Sequence, residues 1–195
     1  MKTVVYLVRH GEVHNPKQIM YERLPGYRLS DLGIKQAHKL GQFLSGKPIT
    51  AIYASPLERT RETADIIASY HRGLSVIHDE RLLEVSTTAR GLGITYLTEE
   101  RWNFYKPKYT KLGGEKLSDI WKRMQTAIRD IVKRHKGGEV VVVSHGDPLM
   151  ISMIKHIGRP LRLAEIRGVE YVATAGGFRL VFDDFRATEV SKLDF

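Results

Sequence analysis

Two stretches of this chain are apolar without a break: Val4-Val5-Tyr6-Leu7-Val8 and Val140-Val141-Val142-Val143. A strand with one wet face alternates apolar and polar residues; these do not. They must be covered on both faces, which a parallel sheet held between two helix layers provides. The rest of the chain fits that plan. Ile49 to Ala54 and Val76 to His78 read as further strands. Ser30-Asp31-Leu32-Gly33 opens a helix with Ala37, Leu40, Phe43 and Leu44 on one face, stopped by Gly46-Lys47-Pro48. Ser55 reads as the N-cap of a second helix running to about Tyr70, with Pro56 at its first position.

Leu117 to His135 has the period of a long amphipathic helix, ended by Gly137-Gly138, and Asp147-Pro148 starts another that runs to about Ile157. Gly168 to Thr174 and Phe178 to Phe182, joined by Ala175-Gly176-Gly177, read as a hairpin. Strands alternating with helices predict an α/β three-layer sandwich: a mainly parallel central sheet, one antiparallel edge strand and helices on both faces. With 195 residues, the expectation is a single domain over 1–195, in which 86–112 forms a small lid-like excursion.

Composition narrows the chemistry. The chain has no cysteine, which removes thiol catalysis, iron–sulfur ligation and Cys-based zinc sites. No two histidines have metal-ligand spacing with a third ligand, so no metal site is expected. No apolar run approaches the ~20 residues of a membrane span, and Val4 to Val8 is too short for a signal peptide. A cytoplasmic protein without a membrane partner is expected; monomer and homodimer stay open. Asparagine and glutamine are scarce, as in thermophiles. The 31 Lys and Arg exceed the 22 Asp and Glu, for a net charge of +9. That excess suits an anionic partner, but the basic run Arg129 to Lys136 has no interleaved aromatics, so nucleic acid is not expected.

Ligands of open α/β sheets bind beyond the carboxyl ends of the strands. Arg9-His10-Gly11-Glu12 follows the first strand, Ser55 to Arg59 the second, Arg81 to Glu84 the short 76–78 strand, and Ser144-His145-Gly146-Asp147 the 140–143 strand. Arginines and histidines brought to one edge repel each other unless an anion sits among them, and a phosphate is the natural occupant.

In these motifs, with Thr63-Ala64 and Gly113-Gly114-Glu115, the sequence resembles the histidine phosphatase superfamily of phosphoglycerate mutase-like fold. The resemblance implies that His10 is the nucleophile forming a phosphohistidine. Arg9, Arg59 and His145 would hold the phosphoryl oxygens, with His145 acting best as imidazolium and Gly146 beside it. Glu84 would be the general acid, with Asp147 as the alternative. No metal or cofactor is implied. In phosphoryl transfer most of the work is positioning and charge stabilisation, which fixed cations supply.

Asn15, five residues after His10 where the family commonly has six, is expected to bind phosphate, with His14 as its rival. Arg23 and Arg28, in a loop that departs from the family pattern, are expected at the pocket mouth. With Tyr21, Tyr27, Arg90, Arg101, Trp102 and Tyr105 they would decide the substrate, a small phosphorylated metabolite. The reaction expected is phosphomonoester hydrolysis, because relatives that act as mutases resemble longer chains. The alternatives are mutase-type phosphoryl transfer and a non-catalytic phosphate-binding module.

Overall fold

The computed structural model describes residues 1–195. A six-stranded sheet has the order β3-β2-β4-β1-β5-β6, with β1 at Lys2–Arg9, β2 at Ile49–Ala54, β3 at Val76–His78, β4 at Glu139–Ser144, β5 at Gly177–Asp183 and β6 at Arg186–Lys192. The first four are mutually parallel; β5 runs antiparallel to β1, and β6 antiparallel to β5. The antiparallel addition at the edge is therefore a pair of strands.

The uninterrupted apolar runs do what their pattern requires. Val4, Tyr6 and Val8 point to one face, where they pack with Leu40, Leu44, Ala64 and Ile67 of α1 (Asp31–Leu44) and α2 (Glu58–Ala68). Val5 and Leu7 point to the other and join a larger core. That core contains Ile120, Met124 and Ile128 of α5 (Leu117–Arg134), and Leu149, Met150 and Ile154 of α6 (Gly146–His156). Residues 146–154 of α6 are buried on every side. Between β3 and α5 lie a 3₁₀ turn at Glu80–Leu82, then α3 (Ile94–Glu99) and α4 (Pro107–Thr110) in the excursion. No helix is long and apolar enough to cross a membrane.

Two local readings are corrected. The hairpin is β5–β6, turning at Asp184-Phe185; Gly168 to Thr174 is not a strand but the stretch after α7 (Leu163–Arg167). Its Tyr171 hydroxyl and Val172 carbonyl are bonded to site residues instead of a strand partner. Ser55 does not cap α2: Leu57 is the cap residue, without a side-chain cap bond, and the Ser55 hydroxyl meets His145.

Ser30 does cap α1, accepting from the Gly33 backbone N–H at 3.0 Å while donating to Glu12 at 2.9 Å. This seats α1 directly on the loop after β1. A Cβ at Gly33 would lie 2.0 Å from the Glu12 carbonyl oxygen, and one at Gly11 would lie 2.4 Å from the Gly33 carbonyl oxygen. Backbone meets backbone here, so neither side can yield by turning a rotamer. Gly33→Ala is expected to cost about 1–3 kcal/mol of stability by overpacking and to displace the loop bearing His10; urea unfolding and activity on the same sample check both.

Candidate active site

The register of the parallel strands assembles the site. Arg9 on β1 pairs with Ser144 on β4, so His10 and His145 leave the sheet side by side. Their rings lie 5.2 Å apart, edge to face. Ala54 of β2 pairs with Val143, which brings Ser55 to the same edge; its hydroxyl is 2.8 Å from His145 Nε2. Arg59, in the first turn of α2, is 1% exposed and reaches His10.

His10 is held in one tautomer. Its Nδ1 lies 2.7 Å from the Gly11 carbonyl oxygen, which can only accept, so Nδ1 carries the proton. Arg59 Nε donates to Nε2 at 3.3 Å, so that nitrogen keeps its lone pair. Burial, then the charges of Arg59 and Arg9, holds the imidazole well below its usual range, leaving it neutral at pH 7. Burial and then Arg59, His10 and two further arginines do the same to His145. His145 is thus neutral among these cations, and a bound anion would favour its imidazolium.

Three buried nitrogens of the site have no hydrogen-bond partner: His145 Nδ1 and Arg9 Nε beside His10, and Arg167 Nε on the Asp147 side. Arg9 is otherwise bonded only to the Val172 carbonyl, at 2.9 Å, and lies over the Tyr171 ring. Arg59 Nη2 donates to the Glu22 carbonyl at 2.7 Å and the guanidinium lies over the Tyr21 ring. Neither arginine has a carboxylate partner, so both charges are left for an anion.

Glu84 Oε2 is 3.9 Å from His145 Nδ1, and the side chain is 12% exposed. Burial, with help from the Asp147 charge, raises its pKa above the ordinary carboxyl value against the pull of Arg59 and Arg9. Its backbone is clamped. The Glu84 carbonyl accepts from Arg23 Nε at 2.9 Å, Arg23 Nη2 at 2.6 Å and Arg123 Nη2 at 3.2 Å. Arg123 also holds the carbonyls of Arg81 and Leu83, and Glu115 binds both arginines.

Asp147 is built differently. Its two oxygens accept from Arg167 at 2.6 and 2.9 Å, from Tyr105 at 2.6 Å and from Tyr171 at 2.6 Å. Burial would raise its pKa, but the Arg167 charge and these bonds outweigh it and hold the carboxyl below its ordinary value. An ionised carboxylate with both oxygens engaged has no proton to give.

The structure therefore brings together Arg9, His10, Arg59, Glu84, His145 and Gly146, where a Cβ on Gly146 would lie 2.3 Å from the Tyr171 hydroxyl. It does not add the other three. Asn15 uses its amide on its own loop, donating to the Ile19 carbonyl and accepting from the Ile19 N–H, and His14 is exposed. Arg23 clamps the Glu84 carbonyl and does not line the cavity. Arg28, 70% exposed, pairs with Glu62.

Sequence reasoning missed Ser55 as a partner of His145, Arg123 as a clamp, and the Arg167–Tyr171 pair around Asp147. Only Arg123 left a signal, a charge one position from the buried Met124 of α5. Beside the histidines opens a cavity of about 490 Å³ whose lining includes Arg9, Glu84, Tyr21, Trp102, Phe104 and Tyr171.

A sheet-end site with these motifs defines a class, and the chain belongs to the histidine phosphatase superfamily (branch 1), whose family model matches residues 5–189. It is 36% identical over 153 residues to phosphoserine phosphatase 1 of Hydrogenobacter thermophilus, covering 73% of this chain and 71% of that one. It is 33% identical over 172 residues to a probable phosphoglycerate mutase, GpmB, of Yersinia pestis, covering 82% and 80%. Among solved structures, YhfR of Bacillus stearothermophilus superposes with a TM-score of 0.82 at 27% identity, over 95% of this chain and 94% of that one.

Asp147 joins α6, the excursion and the loop after α7. Asp147→Asn, which leaves Arg167 without its counter-charge, is expected to cost about 3–5 kcal/mol, read as a lower midpoint in chemical denaturation.

Proposed function

We propose that the chain is a phosphomonoester hydrolase working through a phosphohistidine at His10. One observation carries this: a neutral imidazole whose Nε2 keeps its lone pair, accepting an Arg59 N–H, beside two buried nitrogens that lack partners, His145 Nδ1 and Arg9 Nε. Buried unpaired nitrogens in one place ask for an acceptor, and a phosphoryl dianion offers several.

In the first step Nε2 of His10 attacks phosphorus, the P–O bond to the alcohol breaks, and Glu84 gives its proton to the leaving oxygen. Arg9 and Arg59 bind the equatorial oxygens; the Arg59 N–H now on Nε2 passes to one of them. The dianion raises the proton affinity of His145, which takes up a proton from solvent as substrate binds, donates from Nδ1 with Ser55 holding Nε2, and gives the proton back when phosphate leaves. In the second step the Glu84 carboxylate takes a proton from water, the water oxygen bonds to phosphorus, the N–P bond breaks and inorganic phosphate leaves. Roles of this kind are mainly electrostatic, and they match the arrangement of charge in the pocket.

Hydrolysis is favoured over mutase-type transfer because the Glu84 side chain keeps 12% exposure, so water can meet the base of the second step. The likeness to a probable phosphoglycerate mutase keeps the second reading in view. Isomerisation of 3-phosphoglycerate outpacing phosphate release, with catalytic 2,3-bisphosphoglycerate present, would establish it.

His10→Ala should release no phosphate from 4-nitrophenyl phosphate and trap no acid-labile phosphoryl group on rapid quenching. Glu84→Gln should slow esters of poor leaving groups by about 10²–10⁴-fold and 4-nitrophenyl phosphate far less, measured as kcat/KM. Activity needs His10 neutral and Glu84 protonated. With His10 pushed down and Glu84 pushed up, the acid limb should lie well below the usual imidazole range. The alkaline limb should follow Glu84 and vanish in Glu84→Gln.

A further inference from the structure

Beyond the phosphoryl end, the cavity changes character. Eight of its fourteen lining residues are hydrophobic, among them Ile19, Met20, Val85, Ile94, Trp102 and Phe104. Trp102 and Phe104 meet edge to face, ring centres 6.0 Å apart. This wall is anchored: Arg167 Nη2 donates to the Trp102 carbonyl at 3.0 Å, and Tyr105 donates to Asp147. At about 490 Å³ the space falls within the roughly 300–1,000 Å³ of sites that bury a sizeable organic ligand.

The charges of the outer lining are already matched, with one donor left over, the buried Arg167 Nε. Arg167 is paired with Asp147 at 2.6 Å. Glu22, 2% exposed, accepts from the backbone N–H groups of Arg23 and Thr87 and lies 3.7 Å from Arg90. Outside the lining, Arg23 pairs with Glu115, and Lys106 with Glu100. The lining cation without a carboxylate partner is Arg9, at the phosphoryl end. A substrate carboxylate entering here would lose its hydration with no counter-ion to replace it, whereas an apolar group gains by leaving water.

We propose, on the strength of the hydrolase reading above, that the leaving group is a bulky, uncharged, apolar alcohol. The preferred substrates are then aryl or large alkyl phosphomonoesters, not phosphorylated carboxylic acids. This separates the chain from what its relatives' names imply. The apolar wall holds the alcohol portion while the phosphoryl group lies among Arg9, Arg59, His10 and His145. Water is consumed, and the alcohol and inorganic phosphate are released.

The test compares 2-phenylethyl phosphate with 3-phosphoglycerate and phosphoserine. All leave as poor alkoxides, so leaving-group strength does not confound the comparison. Phosphate release by the purified full chain should give a kcat/KM about 100-fold higher for the phenylethyl ester. Ile94→Lys, which places an ammonium in the wall, should lower that ratio at least about tenfold by pairing the carboxylate. If that variant does not fold, Trp102→Ala serves, raising KM for the phenylethyl ester and lowering the same ratio. Equal rates for the three esters, or a preference for the acids, would overturn the substrate class and leave the hydrolase standing. So would a ratio that neither variant moves. No phosphate from any of the esters, nor from 4-nitrophenyl phosphate, would overturn the hydrolase reading itself.

Discussion

The parallel ladder between β1 and β4 is the constraint on which the rest of this protein depends. Its register places Arg9 opposite Ser144 and so makes His10 and His145 neighbours, although 135 positions separate them in the chain. Both strands are buried on both faces, which explains their unbroken apolar runs. A slip by one residue would turn each strand's side chains to the opposite face and separate the histidines.

The buried charges follow a second rule. Where a guanidinium serves the architecture it has a carboxylate: Arg23 and Arg123 share Glu115, and Arg167 has Asp147. Where it borders the two histidines it has only neutral partners: a backbone oxygen and an aromatic face for Arg9, and the same with the His10 imidazole for Arg59. Desolvated charge without a counter-ion is costly. With burial, the two unmatched arginines depress both histidines. The carboxylates divide in the same way. Glu84 is pushed toward its neutral form by burial, against the pull of Arg59 and Arg9, while Asp147 is locked as an anion by Arg167.

The parallel core was legible because period and burial write themselves into residue order. Val4 to Val8, Val140 to Val143 and the helix face of Ala37, Leu40 and Leu44 all lie where their pattern puts them. The group at the strand ends was legible for a related reason: residues just past a buried strand have little choice of position.

Illegible parts were those decided by partners distant in sequence. Ser55 looks like a helix cap until β2 is set beside β4 and a histidine claims its hydroxyl. Val169 to Val172 has the apolar content of a strand, yet Tyr171 and Val172 bind Asp147 and Arg9. The closing strand β6, RATEVSK, is an exposed edge with little apolar pattern to announce it. Arg23 and Arg28 looked alike in one loop; one meets the carbonyl of Glu84, the other the surface carboxylate of Glu62.

The clasp at Asp147 has a wider consequence. It grips Tyr105 by its hydroxyl and, through Arg167, the carbonyl of Trp102, so the cavity wall is fastened by backbone and phenol atoms. The faces that a ligand would meet, at Ile94, Trp102 and Phe104, take no part in that fastening. Holding and recognising are thus assigned to different atoms of the same short segment. On the proposed reading, the recognising side chains can be exchanged one at a time while the segment stays moored to α6 and the residues around His10 stay in place.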